Sequence, residues 1–119
     1  MDNRIQYAVR EGQLVFKPEG ILTFYNVAPF ATAIQDALKT TGANNVVIDC
    51  SELTLLDSSA LGSLAHLAKQ LRERQGKVKL VDEMGGVTQR LFSLRLDRII
   101  MTFSTVEEAL ERDPEDQEE

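Results

Sequence analysis

Five residues constrain this chain more than any others: Val46-Val47-Ile48-Asp49-Cys50, an almost unbroken apolar run rich in β-branched side chains. A strand with one face in water alternates polar and apolar residues, so a run without alternation belongs to a strand covered on both faces. Beyond a loop, Leu61, Leu64, Ala65, Ala68 and Leu71 recur at helical spacing over residues 58–74, with Lys69, Gln70, Arg72 and Glu73 on the remaining arc. Gly76 stands where such a helix is expected to end. A buried strand feeding an amphipathic helix is the unit of an α/β fold, in which right-handed crossovers lay helices beside a largely parallel sheet.

The flanking sequence extends that unit. Residues 5–9 and 14–17 read as a β-hairpin turned at Glu11-Gly12 and stopped by Pro18. After Gly20, Ile21-Leu22 is a short extended piece, and residues 27–39 form a helix with Phe30, Ile34, Ala37 and Leu38 on one face. Residues 77–81 predict a strand, 87–94 a short helix, 99–103 a strand and 105–112 a last helix. The order is ββ-αβαβαβα: one domain over residues 1–112, with a mixed, mostly parallel sheet of four to five strands and four helices beside it. Residues 113–119 are predominantly acidic with no apolar anchor and predict a disordered tail.

Composition narrows the function. A net charge of −6 argues against nucleic acid as the partner, since phosphate binding needs clustered Lys and Arg, and Arg72, Arg74, Lys77 and Lys79 are mixed with acids. No apolar stretch nears the roughly 20 residues that cross a bilayer, and no signal-peptide pattern opens the chain, so a cytoplasmic protein without membrane insertion is expected. Cys50 is the only cysteine, which leaves no internal disulfide or cysteine-rich zinc site and predicts a buried thiol.

The chemistry-bearing segment is Asp57-Ser58-Ser59-Ala60-Leu61-Gly62. With Ser58 as N-cap, its hydroxyl is spent on first-turn N–H groups, and Ser59 becomes the freer hydroxyl. A phosphate on Ser59 adds about −1.5 to −2 charges at a helix N-terminus, which the fold tolerates, whereas a partner docked over that helix start meets repulsion and a desolvation cost. Asp57, Ser58 and Ser59 also read as a plain capping cluster, which is a common arrangement.

The run from Val46 to Gly62, with Arg90-Leu91-Phe92 and Ile99-Ile100, resembles the STAS domain of bacterial anti-sigma-factor antagonists. The resemblance covers about 100 of the 119 residues. In that family Asp-Ser-Ser-Gly opens the second helix and its second serine is phosphorylated, which implies Ser59 here and Ser58 as second choice. It implies a cycle in which the unphosphorylated chain binds an anti-sigma factor that is a serine kinase of histidine-kinase-like fold and frees a sigma factor. Phosphorylation ends the binding, and a metal-dependent serine phosphatase restores it. The implied partner surface comprises Thr23, Asp57, Ser58, Ser59, Ala60, Gly62 and Phe92. Three departures from the family pattern stand out: Ala60 replaces a glycine, placing a methyl beside the phosphoacceptor; Thr23 replaces an aspartate; and Ser93-Leu94-Arg95-Leu96-Asp97 is one residue short and lacks a glycine.

Nothing in the residues asks for an enzyme, a metal or a cofactor. His66, the only histidine, has no cysteine nearby and reads as a helix-edge residue. Asp49, Glu52 and Asp57 sit at a strand end, loop and cap, where carboxylates satisfy backbone donors. Gly85-Gly86 lacks the spacing and lysine of a phosphate loop. Phe92, Leu96 and Met84 fall off the Val87-Leu91-Leu94 stripe and form either an exposed docking patch or satellite core. The rival to a switch is a constitutive scaffold, since STAS-like domains also serve in stressosomes and lipid-transport complexes; self-association is expected to be absent or weak.

Overall fold

The computed structural model describes residues 5–111, so the acidic segment 113–119 lies outside the described residues. β1 (Tyr7–Arg10) and β2 (Gln13–Phe16) form the expected hairpin. Glu11 and Gly12 both have positive φ, 53° and 76°, the left-handed pair that a tight two-residue hairpin turn requires. β3 (Gly20–Leu22), α1 (Val27–Thr41), β4 (Val46–Asp49), β5 (Leu53–Leu56), α2 (Ser58–Arg72) and β6 (Val78–Val81) follow. The chain closes with α3 (Gly86–Ser93), β7 (Met101–Phe103) and α4 (Val106–Glu111).

The main sheet has the order β1-β2-β4-β6-β7, antiparallel only at β1. The Val46–Cys50 run therefore supplies the central strand and is buried on both faces, as its lack of alternation predicts. Val46, Ile48, Leu14, Phe16, Val78 and Leu80 point into the main core with α1 and α2. Val47 and Val81 point the other way, into a smaller cluster with Phe103, Ala109 and Leu110 under α4. The stripe Phe30, Ile34, Ala37 and Leu38 of α1 is buried, and so is Cys50.

Several boundaries differ from the sequence reading. β5 was not anticipated: it pairs in parallel with β3 as a separate two-stranded sheet, Leu22 opposite Leu56. α1 runs two residues beyond the predicted 39, to Thr41. The last strand begins only at Met101 and the last helix at Val106.

The end of α2 is closed differently from the expectation for Gly76. The helix stops at Arg72, and Gln75 takes the left-handed position at φ 63°. Gly76 N–H then donates to Leu71 C=O at 2.7 Å and Gln75 N–H to Arg72 C=O at 3.0 Å, the paired bonds of a Schellman closure. Glycine is needed at 76 for space, because a Cβ there would lie 2.2 Å from the Asn44 carbonyl oxygen.

Candidate functional site

The site is built where β5 hands over to α2. Pairing with β3 fixes the path: Asp57 N–H donates to Leu22 C=O at 3.2 Å, and Leu56 is buried just before it. Asp57 itself is extended at φ −90°, ψ 174° and is the N-cap. One carboxylate oxygen accepts from Ala60 N–H at 2.8 Å; the other accepts from Phe24 N–H at 3.2 Å. This corrects the expectation that Ser58 is the cap. A carboxylate in that position has one oxygen for each task, satisfying a first-turn donor and fixing the β3–α1 loop at once.

Ser58 and Ser59 consequently both lie in the first turn, both are exposed, and neither hydroxyl is bonded to another described residue. Position separates them. Ser59 lines an open groove of about 510 Å3 between α1 and α2, with Ala28, Ala31, Gly62 and His66, whereas Ser58 does not. Ser59, Gly62, Ser63 and His66 are spaced to share one helical face, and the Gln35–Gln70 side-chain bond of 3.0 Å crosses the groove at its far end. A Cβ on Gly62 would meet nothing within 4 Å. The groove floor is therefore small-residue and open.

Two members of the inferred partner surface turn inward. Ala60 is 0% exposed and Thr23 only 6%. The Ala60 methyl, expected beside the phosphoacceptor, instead packs in the main core, so the departure from glycine leaves the Ser59 hydroxyl accessible. Thr23 organises the entry to α1: its hydroxyl accepts from Tyr25 N–H at 3.2 Å, and its carbonyl accepts from Val27 N–H at 2.9 Å. An aspartate there would bring a charge into that buried position.

α3 abuts the same region. Arg90 donates from its guanidinium to the carbonyl of Leu56, the residue before Asp57. Leu91 is buried and Val87 packs against the core, but Leu94 is 40% exposed and does not complete the predicted stripe. Phe92 and Met84 are exposed at 72% and 91%, while Leu96 packs on the main core instead of joining a docking patch. The missing glycine after α3 is accounted for by Arg95, which adopts φ 63° in a Schellman closure, with Leu96 N–H donating to Leu91 C=O at 2.8 Å.

Sequence reasoning overlooked the Phe24–Tyr25 pair. These rings are 68% and 91% exposed and stack edge-to-face at 5.5 Å. Their loop is held by Thr23 N–H to the Asn26 side chain at 2.7 Å, by the Asn26 amide to Ile21 C=O at 2.9 Å, and by the Asp57 bond. Two adjacent aromatics between a strand and a helix start were the available signal, because consecutive side chains there cannot both face a core. Among the described residues no group of three or more His, Cys, Asp and Glu is placed to hold a metal ion, and no helix is long and apolar enough to cross a membrane.

Comparison with known proteins agrees with this layout. The family model of the STAS domain matches residues 4–109. A Thermotoga neapolitana protein named as a candidate anti-sigma factor antagonist is 28% identical over 105 residues, 88% of this chain and 93% of the relative. The crystal structure of a candidate anti-sigma factor antagonist from Thermotoga maritima superposes with a TM-score of 0.80 at 25% identity, covering 90% of this chain and 92% of that one. The anti-sigma factor antagonist SpoIIAA in its unphosphorylated form shares the fold, with a TM-score of 0.68 at 21% identity over 92% of this chain and 96% of that one.

Proposed function

Because the chain belongs to the STAS domain family, we propose that it is a non-enzymatic anti-sigma-factor antagonist switched by phosphorylation of Ser59. The observation that carries this reading is the Ser59 hydroxyl: exposed, unbonded, in the first turn of α2 and at the mouth of the α1–α2 groove. Because Asp57 already caps the helix, modifying Ser59 removes no bond that the fold uses.

In this reading the unphosphorylated surface of Asp57, Ser58, Ser59 and Gly62, flanked by Phe92, docks an anti-sigma factor that is itself a serine kinase of histidine-kinase-like fold. The exposed Phe24–Tyr25 pair sits on a loop bonded to the same aspartate and extends that surface. A phosphate brings about −1.5 to −2 charges beside the Asp57 carboxylate. Like-charge juxtaposition and desolvation at a docked interface cost several kcal/mol, equivalent to at least about a hundredfold in affinity. The helix N-terminus and water together accommodate that charge in the free protein, whereas docking strips the water away, so the fold persists while the complex does not. A metal-dependent serine phosphatase then resets the cycle, which runs in the cytoplasm.

Peptide mapping by mass spectrometry of the protein from its own host, with pull-downs of wild type, Ser58→Ala, Ser59→Ala and Ser59→Asp, tests this. Phosphate on Ser59, a kinase retained by both alanine variants and its loss from Ser59→Asp are expected. An unmodified Ser59 with capture indifferent to all three substitutions would replace the switch with a constitutive scaffold.

A further inference from the structure

β1 is unlike every other strand of the main sheet. All four of its residues are exposed, and among the described residues it pairs with β2 alone. The opposite edge, β7, is short and half-buried to buried beside α4. β1 pairs Tyr7 with Phe16 and Val9 with Leu14, so Tyr7 and Val9 lie on the core face of the sheet. Phe16 and Leu14 are 0% exposed there, yet Tyr7 is 40% and Val9 52% exposed. The apolar face of the sheet thus continues past the helices that cover it.

The backbone at this edge is open as well. In a ladder closed by a two-residue turn, the residues flanking the turn form a hydrogen-bonded pair, and the pairs alternate from there. Arg10 and Ala8 then bond toward β2, while Tyr7 and Val9 aim N–H and C=O outward. β1 has no proline and no bulge in its register with β2, two of the devices that commonly protect an edge. Its one charged residue, Arg10, lies on the α4 face at 3.7 Å from Glu107.

We propose that this edge is a self-association surface whose occupant is the β1 strand of a second copy of the chain, paired antiparallel about a two-fold axis at Ala8. The pattern is self-complementary. A two-fold perpendicular to the sheet keeps both core faces on one side, which requires registers that place a residue opposite one of equal parity. Centred on Ala8, Tyr7 meets Val9 of the second copy twice over, an aromatic against a β-branched side chain on the apolar face. Those same two residues own the outward hydrogen-bonding groups, so side-chain and backbone registers coincide. Arg10 falls opposite Gln6, and the small Ala8 meets itself. The net charge of −6 on each copy opposes the pairing, which makes the dimer weak and strengthened by salt.

Sedimentation equilibrium of the full chain from micromolar to millimolar concentration, at low and high salt, tests this with three substitutions. Wild type dimerises with concentration, more so at high salt. Val9→Pro removes an outward donor and spares the β2 ladder, and Tyr7→Lys sets a charge in the apolar pair; each weakens association at least about tenfold while circular dichroism shows the native fold. Ala8→Cys forms a covalent dimer under mild oxidation, and Thr32→Cys on exposed α1 does not. A wild type monomeric at millimolar concentration, folded Val9→Pro and Tyr7→Lys proteins that dimerise as wild type does, or equal cross-linking at 8 and 32 would each overturn the proposal.

Discussion

The two faces of the main sheet are held by different physics. Against α1, α2 and α3 lies a broad apolar core, with Leu14, Phe16, Ile34, Ile48, Leu64 and Leu80 all at 0% exposure. Under α4 the apolar cluster is small, and two polar side chains, Gln13 and Lys79, are buried beside it. Lys79 donates to Ala109 C=O at 2.8 Å and to the Gln13 side-chain oxygen at 3.1 Å, while the Gln13 amide donates to Leu110 C=O at 3.0 Å. These carbonyls belong to the last turn of α4, which has no intrahelical donors for them. A helix too short to bury much surface is therefore pinned by its unpaired end. The Asp57–Ser59 segment belongs to the broad face, flanked by Leu56, Ala60 and Leu61 in the main core.

The largest effect comes from the broad face. Leu64→Ala, at the centre of α2, is expected to destabilise the fold by about 2–5 kcal/mol, the range for a fully buried leucine. Chemical denaturation gives the value, and a loss under about 1 kcal/mol would mean that α2 is not the main packing element.

Lys79→Met keeps most of the volume but removes the amine, leaving the Gln13 side-chain oxygen and the Ala109 carbonyl without their donor. The expected cost is about 1–3 kcal/mol, with faster amide exchange confined to α4 and its strand neighbours. A neutral or stabilising result would show that apolar packing alone secures the small face, as happens when some buried charges are replaced.

Cys50 sharpens the contrast at the end of the central strand. Burial, with Asp82 and Asp49 adding to it, pushes its thiol from 9.0 up to about 12. The folded chain thus keeps a proton that the unfolded chain releases above pH 9.0. This contribution is complete below that pH and is lost as pH rises toward about 12. Between pH 8 and pH 10 the native protein should lose about 1.4 kcal/mol relative to Cys50→Ala. Parallel pH profiles of the two proteins would place the thiol in an ordinary, solvated setting.

Much of this was legible in the sequence because it is local. The central strand, the stripes of α1 and α2 and the hairpin follow from periodicity within single segments. What was missed depends on distant partners. Leu53-Thr54-Leu55-Leu56 has no alternation of its own and becomes β5 only because β3 lies alongside it. Nothing in the 77–81 strand itself marks Lys79 for burial, and it is an α4 carbonyl, thirty residues on, that accepts from it inside. At the site, the serine pair was readable, but Asp57 as cap was decided by Phe24 N–H, thirty-three residues away.

The smallest effect probes the edge of the broad face. Arg95 holds φ 63° to close α3, a conformation that costs a residue with a Cβ about 1 kcal/mol and glycine almost nothing. Its backbone N–H donates to Phe92 C=O at 3.1 Å, and that bond survives any substitution but proline. Arg95→Gly is therefore expected to gain up to about 1 kcal/mol at the closure, offset in part by the greater freedom of the unfolded glycine chain. A net rise in melting temperature, with Phe92 still exposed and Arg90 still on the Leu56 carbonyl, would mean that α3 tolerates strain the fold does not need. A fall would mean that the conformational freedom lost by the glycine chain on folding outweighs the strain relieved at the closure.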